Sequence, residues 1–139
     1  MKNHLTWDEH HHSVGIARID DEHRHIFELV NRINDALVSR EQFESIGDTL
    51  EELLTFTKAH FAHEEQTMAK QAYPGTAAHA KEHRLLVEQI NNLVESAQHY
   101  PSYFRTSLVT AFLTDWAELH ILSDDRKLGD FLVAREKDL

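Results

Sequence analysis

"HFAHEE", residues His60 to Glu65, sits in a run that otherwise reads as an amphipathic helix, with Leu53 and Phe56 before it and Met68 after it. Apolar residues recur every three or four positions along most of the chain, and beta-branched alternation is scarce. That is helical periodicity. Only four glycines and two prolines interrupt it. A helix that places two histidines and two glutamates within six residues either turns them to water or buries them around a ligand. The register of the surrounding apolar seam decides between the two.

Working outward from that stretch, the pattern predicts four helices at about 20–38, 40–71, 76–98 and 103–133, behind an N-terminal arm at 1–18. Asp20 is the predicted N-cap of the first helix, with Asp21 and Glu22 suited to its positive end. "SREQ" (39–42) has the form of a capping box at the start of the second. "YPG" (73–75) ends that helix, Thr76 caps the third, and "HYPS" (99–102) ends it. Connections this short make successive helices antiparallel neighbours. The expected fold is all-α: one domain over 1–139, an up-down-up-down antiparallel four-helix bundle with an arm.

A bundle helix buries a seam spaced alternately by three and four. The first helix offers Ile19, His23, Ile26, Val30, Ile33 and Leu37. The second offers Ile46, Leu50, Leu53, Thr57, His60, Glu64 and Thr67, and the third His79, His83, Leu86, Ile90, Leu93 and Ala97. His60 and Glu64 therefore point inward. The fourth runs Val109, Leu113, Trp116, His120. Regular spacing from there would bury Asp124 and Lys127, whereas a jump of five gives Asp125, Leu128 and Leu132. A π-bulge permits such a jump and is common at functional sites, so Asp125 is the expected inward residue.

With alternating helix directions, His23, His60, Glu64, His79, His83, His120 and Asp125 all fall at one end of the bundle. Burying even one unpartnered polar group costs roughly 1–3 kcal/mol, so seven at one level imply a metal. The set is too large for one tetrahedral zinc. Five imidazoles, two bridging carboxylates and one bridging oxo or hydroxo group would fill all but one position of two octahedral ions. Mixed imidazole and carboxylate ligation at six-coordination favours iron.

These residues lie in motifs that resemble bacterial hemerythrins over nearly the whole chain. "SVGIARIDDEH" (13–23), "HFAHEEQTM" (60–68), "YPGTAAHAKEH" (73–83) and "WAELHILSDD" (116–125) occur in the family's order. The resemblance implies a non-heme di-iron centre in which His79, His83 and His120 hold one iron and His23 and His60 the other. Glu64 and Asp125 would bridge. Dioxygen would bind at the iron held by His23 and His60. The implied activity is reversible oxygen binding for storage, delivery or sensing, with no enzymatic activity of the domain itself. A sensor fused to a C-terminal output domain, such as a diguanylate cyclase or a chemotaxis module, is the alternative. A di-iron oxidase or ferroxidase ranks below both.

Composition narrows the field further. The net charge of −10 and the absence of a basic stripe argue against nucleic acid. With no cysteine, disulfides and thiolate chemistry are excluded. No segment approaches the ~20 apolar residues of a membrane span, and a cytoplasmic protein without a membrane partner is expected. Other ionisable residues read as ordinary surface: His25, His63 and His99 fall off the seam, Glu65 and Asp115 read as solvated, and so do His10, His11 and His12 in the arm. Asp21 and Glu22 stand where the family often has glutamine before the first ligand, and neither is expected to touch a ligand. Trp7, Phe56, Phe112 and Trp116 read as packing, with Trp116 also a pocket wall.

Overall fold

The computed structural model describes residues 5–38, 43–99 and 106–137. A one-turn helix α1 (Glu9–His12) lies in the arm, followed by α2 (Ala17–Val38), α3 (Phe43–Lys70) and α4 (Thr76–His99). The last rod is α5 (Thr106–His120), a π-helical turn (Ile121–Asp125) and α6 (Arg126–Lys137). The chain is a four-helix bundle, and α2 packs on both α3 and α5 while α3 packs on α4. Antiparallel order is evident from the cross-contacts. Arg32, late in α2, meets Glu52, early in α3. Gln98, at the end of α4, donates to Glu51.

The seam holds along most of each rod. Leu29, Val30, Ile33, Leu50, Leu53, Ile90, Leu113 and Leu128 are fully buried, each worth about 1.5–3 kcal/mol of transfer free energy. The jump of five in the last rod is present, as the π turn between His120 and Asp125. Asp125, Leu128 and Leu132 are buried behind it, and Lys127 is exposed. A π turn frees carbonyls that an α-helix would satisfy, and the Ser123 hydroxyl donates to Leu119 O at 2.7 Å. Two expected seam residues are displaced by one: Met68 is buried where Thr67 was expected, and Val94 where Leu93 was. Both lie near the ends of long stretches, where the 3.6-residue turn drifts out of phase with a 3.5-residue pattern.

Two expected caps differ. The α2 helix begins three residues before Asp20, which is buried and faces the arm instead. Its carboxylate accepts the Ser13 hydroxyl at 2.5 Å and the Val14 N–H at 2.9 Å. The α4 helix begins at Thr76, but the Thr76 hydroxyl donates to Tyr73 O. Gly75 holds the cap position, since its carbonyl accepts the His79 N–H at 3.0 Å. The "SREQ" box at 39–42 and the expected start of the last helix at 103 lie outside the described residues. The end of α3 is a Schellman motif, with Ala72 at φ 52° and the Tyr73 N–H reaching Met68 O at 2.9 Å.

The arm is strapped across the bundle, with His10 and His11 exposed as expected. Leu5 is buried and exchanges two hydrogen bonds with Asn31. Glu9 accepts from the Trp7 indole and from Arg24, each at 2.7 Å, and Arg126 donates to His11 O. His12 is buried, against the solvated expectation. Its ring packs on Trp7 and Phe27, and its Nδ1 accepts the Asp8 N–H at 2.9 Å. The crossing is closest at Gly129, where a Cβ would strike the Val14 backbone. Gly129→Ala should lift the arm and cost about 1–3 kcal/mol of overpacking. Thermal melts together with proteolysis of the arm check this; unchanged arm protection would contradict the strap.

Candidate metal centre

Each rod delivers its ligand-type residues by helical spacing. His60 and Glu64 are one turn apart on α3, as are His79 and His83 on α4. His23 comes from the first turns of α2, and His120 and Asp125 flank the π turn. All seven expected side chains are buried and converge at one level.

The five imidazoles all turn Nε2 toward the two carboxylates. Glu64 Oε1 lies 3.0 Å from His83 and 3.2 Å from His79, while its Oε2 lies 3.1 Å from His60 and 3.8 Å from His23. Asp125 Oδ1 lies 2.9 Å from His79 and 3.1 Å from His120, and its Oδ2 lies 2.7 Å from His23. Each carboxylate thus divides its oxygens between the same two groups of histidines. One group is His79, His83 and His120; the other is His23 and His60. Glu64 and Asp125 belong to both.

Electrostatics bind the cluster tightly. Burial alone would push the His60 imidazole down, but the hydrogen bond to Glu22 and the neighbouring Glu64 carboxylate outweigh it and raise it to about 10. His79 is likewise pushed down by burial and raised to about 10 by Asp125 and Glu64. Burial would push both carboxyls up, yet the surrounding imidazoles hold Glu64 and Asp125 far below the usual carboxylate range. Several facing atoms still lack a hydrogen-bond partner: His60 Nε2, Glu64 Oε2 and His120 Nε2. Buried donor atoms with no protein partner, in a set rich in imidazole and carboxylate, suit a divalent or trivalent cation.

Two residues read as surface prove to touch the centre. Glu22 Oε1 accepts from His60 Nδ1 at 2.8 Å, and its Oε2 accepts from His63 at 2.7 Å. Glu65 accepts from His83 Nδ1 at 3.0 Å. Neither contact has a local sequence signature, since Glu22 and His60 meet across α2 and α3. Phe61 stacks on His83 with ring centroids 3.8 Å apart and also borders His120. A small cavity opens beside the cluster, lined by His23, Ile26, Phe61, Trp116, Ala117 and His120. Trp116 is a wall of it, as expected.

A third grouping, His11, His12 and Glu118, also has ligand-like spacing. Because His12 Nδ1 accepts a backbone N–H, its proton sits on Nε2, the atom facing Glu118 at 3.9 Å. That nitrogen is a donor here and does not offer a lone pair to a metal.

The sequence profile of the hemerythrin HHE cation binding domain matches residues 14–132. The chain belongs to the hemerythrin family. Within that family it is 32% identical over 130 residues to the bacteriohemerythrin of Methylococcus capsulatus, covering 94% of this chain and 98% of the relative. The bacteriohemerythrin of Stenotrophomonas maltophilia is 29% identical over 129 residues, covering 91% and 80%. A crystal structure of wild-type hemerythrin matches with a TM-score of 0.82 at 30% identity, covering 91% of this chain and 95% of that one. The hemerythrin profile spans all seven converging residues. Among the described residues no helix is long and apolar enough to cross a membrane.

Proposed function

We propose that this hemerythrin domain reversibly binds dioxygen at a pair of non-heme irons, serving oxygen storage, delivery or sensing. The single observation that carries it is the division of oxygens by Glu64 and Asp125 between two histidine groups. His79, His83 and His120 would hold one iron and His23 and His60 the other, with both carboxylates bridging. When bound, such an iron pair supplies two electrons and one free position for a small ligand.

The chain's own residues do the rest. The five Nε2 atoms face inward, so with metal bound there each ring would keep its proton on Nδ1, where Glu22 and Glu65 stand to accept those of His60 and His83. That fixes tautomer and ring orientation. The cavity lined by Ile26, Phe61, Trp116 and Ala117 borders His23 of the two-histidine group. Apolar walls there admit an uncharged diatomic molecule and disfavour water. A centre with five imidazoles leans toward reversible binding, in contrast to the carboxylate-rich Glu-x-x-His bundles.

Metal content and an optical spectrum, before and after deoxygenation, test the proposal. The expected result is about two irons per chain, as in di-iron bundles, and a charge-transfer band that appears and disappears with oxygen. Steady oxygen consumption with an organic substrate or with ferrous ion would instead indicate an oxidase.

A further inference from the structure

The Glu22 carboxylate is clasped between two imidazoles, one buried in the centre and one at the surface. Its side chain is 17% exposed, that of His60 is fully buried, and that of His63 is 45% exposed. On the opposite side of the centre, Glu65 makes its ring contact with His83 alone and is 42% exposed. The two carboxylates behind the ligand rings therefore differ in kind: Glu22 is drier and held at both oxygens. A charge acts more strongly where water screens it less. An imidazole that donates its second N–H to a carboxylate is a stronger electron donor to a metal on its other nitrogen. Stronger donation favours the more highly charged ion.

Resting on the di-iron reading above, we propose that Glu22, held in place by His63, sets the reduction potential of the iron on the His23–His60 side and biases that ion toward the ferric state. Glu22 is a positioning residue, acting through His60. The couple concerned is the one-electron exchange between ferrous and ferric ion, with a redox dye as the electron donor or acceptor in the measurement. Glutamine at this position would keep the hydrogen bond and discard the charge. Here the side chain is a carboxylate held at both oxygens, by His60 Nδ1 at 2.8 Å and by His63 Nδ1 at 2.7 Å.

Glu22→Gln and Glu22→Ala are compared with the wild type and with Glu65→Gln by dye-mediated potentiometry of the iron-loaded proteins, with iron content measured on the same samples. Glu22→Gln should retain its iron and shift the ferric-to-ferrous ratio about tenfold toward ferrous at a fixed potential, a rise of about 59 mV for one electron. Glu65→Gln should shift it less. His63→Ala, which unties Glu22 without removing it, should shift it in the same direction by a smaller factor. A readout free of iron is the His60 Nδ1 proton in zinc-loaded protein, observed by NMR: slow to exchange in the wild type and Glu22→Gln, fast in Glu22→Ala. A Glu22→Gln potential equal to the wild type with iron retained, or a larger shift from Glu65→Gln, overturns the proposal while the oxygen-binding reading stands. A wild type that retains no iron removes that reading, and this one falls with it.

Discussion

Glu64→Ala should leave the folded protein unable to keep the proposed pair of metal ions. Glu64 is fully buried, and its oxygens lie within 3.0–3.2 Å of His83, His79 and His60. Its removal takes a ligand from both proposed ions and a negative charge from the middle of five imidazoles. The remaining rings then face one another across a cavity with only Asp125 between them. Loss of a partner behind a ligand ring typically costs 10–100-fold in affinity, and loss of a shared bridging ligand should cost more. Iron content should fall from about two per chain to well below one. The Glu65→Ala protein, altered one residue away, should retain its iron with an affinity loss nearer the lower figure. Circular dichroism separates metal loss from unfolding, because Leu29, Leu50, Ile90 and Leu113 still bury the core. Full iron content in Glu64→Ala would refute a bridging role.

Stripping the metal should lower the melting temperature by about 10 °C or more, since a ligand that binds only the folded state stabilises it by mass action and each kcal/mol shifts a chain of this size by roughly 3–5 °C. The penalty should grow with pH. In metal-free protein, His60 and His79 are raised to about 10 by their carboxylate partners, against burial that pushes them down. A raised histidine contributes stability that is fully present below its unfolded value near 6.5 and is lost as pH rises through its folded value. The stripped protein should therefore melt progressively lower between pH 6.5 and about 10. The loaded protein should be much flatter over that range, because a metal ion replaces the proton on each ring. Calorimetry of both forms at pH 6.5 and 9.5 measures the difference. Glu64 and Asp125, held low by the imidazoles, predict a separate loss on the acid side, as pH falls below the ordinary carboxylate range. Parallel melting curves for the two forms would show that the imidazolium–carboxylate pairs do not hold the stripped fold together.

Most of the converging cluster was readable from spacing because helical periodicity is local. Leu50, Leu53, Thr57, His60 and Glu64 share a face whatever packs against it. The π turn was legible for the same reason: only a jump of five puts Asp125, Leu128 and Leu132 inward and Lys127 outward. Glu22 and Glu65 were misread because their partners are remote in the chain, and His12 because its burial depends on the arm crossing Phe27 of α2. Glu22 looked like a helix-start acid, and nothing in "DDEH" announces a ring 38 residues away. Asp20 was misassigned because a carboxylate before an apolar run suits a cap, and only the returning arm gives it Ser13 and Val14 to accept from.

By itself, the sequence determined the four rods, the inward faces and the phase jump, because each follows from the angle between residues on a single helix, and it put the seven side chains at one end because short connections alternate the helix directions. Tertiary structure alone decided how the carboxylate oxygens are shared, which outer carboxylates grip His60 and His83, and that the arm's His12 is buried. Those facts depend on distances between rods, and side-chain reach across an interface is set by packing that no single helix encodes.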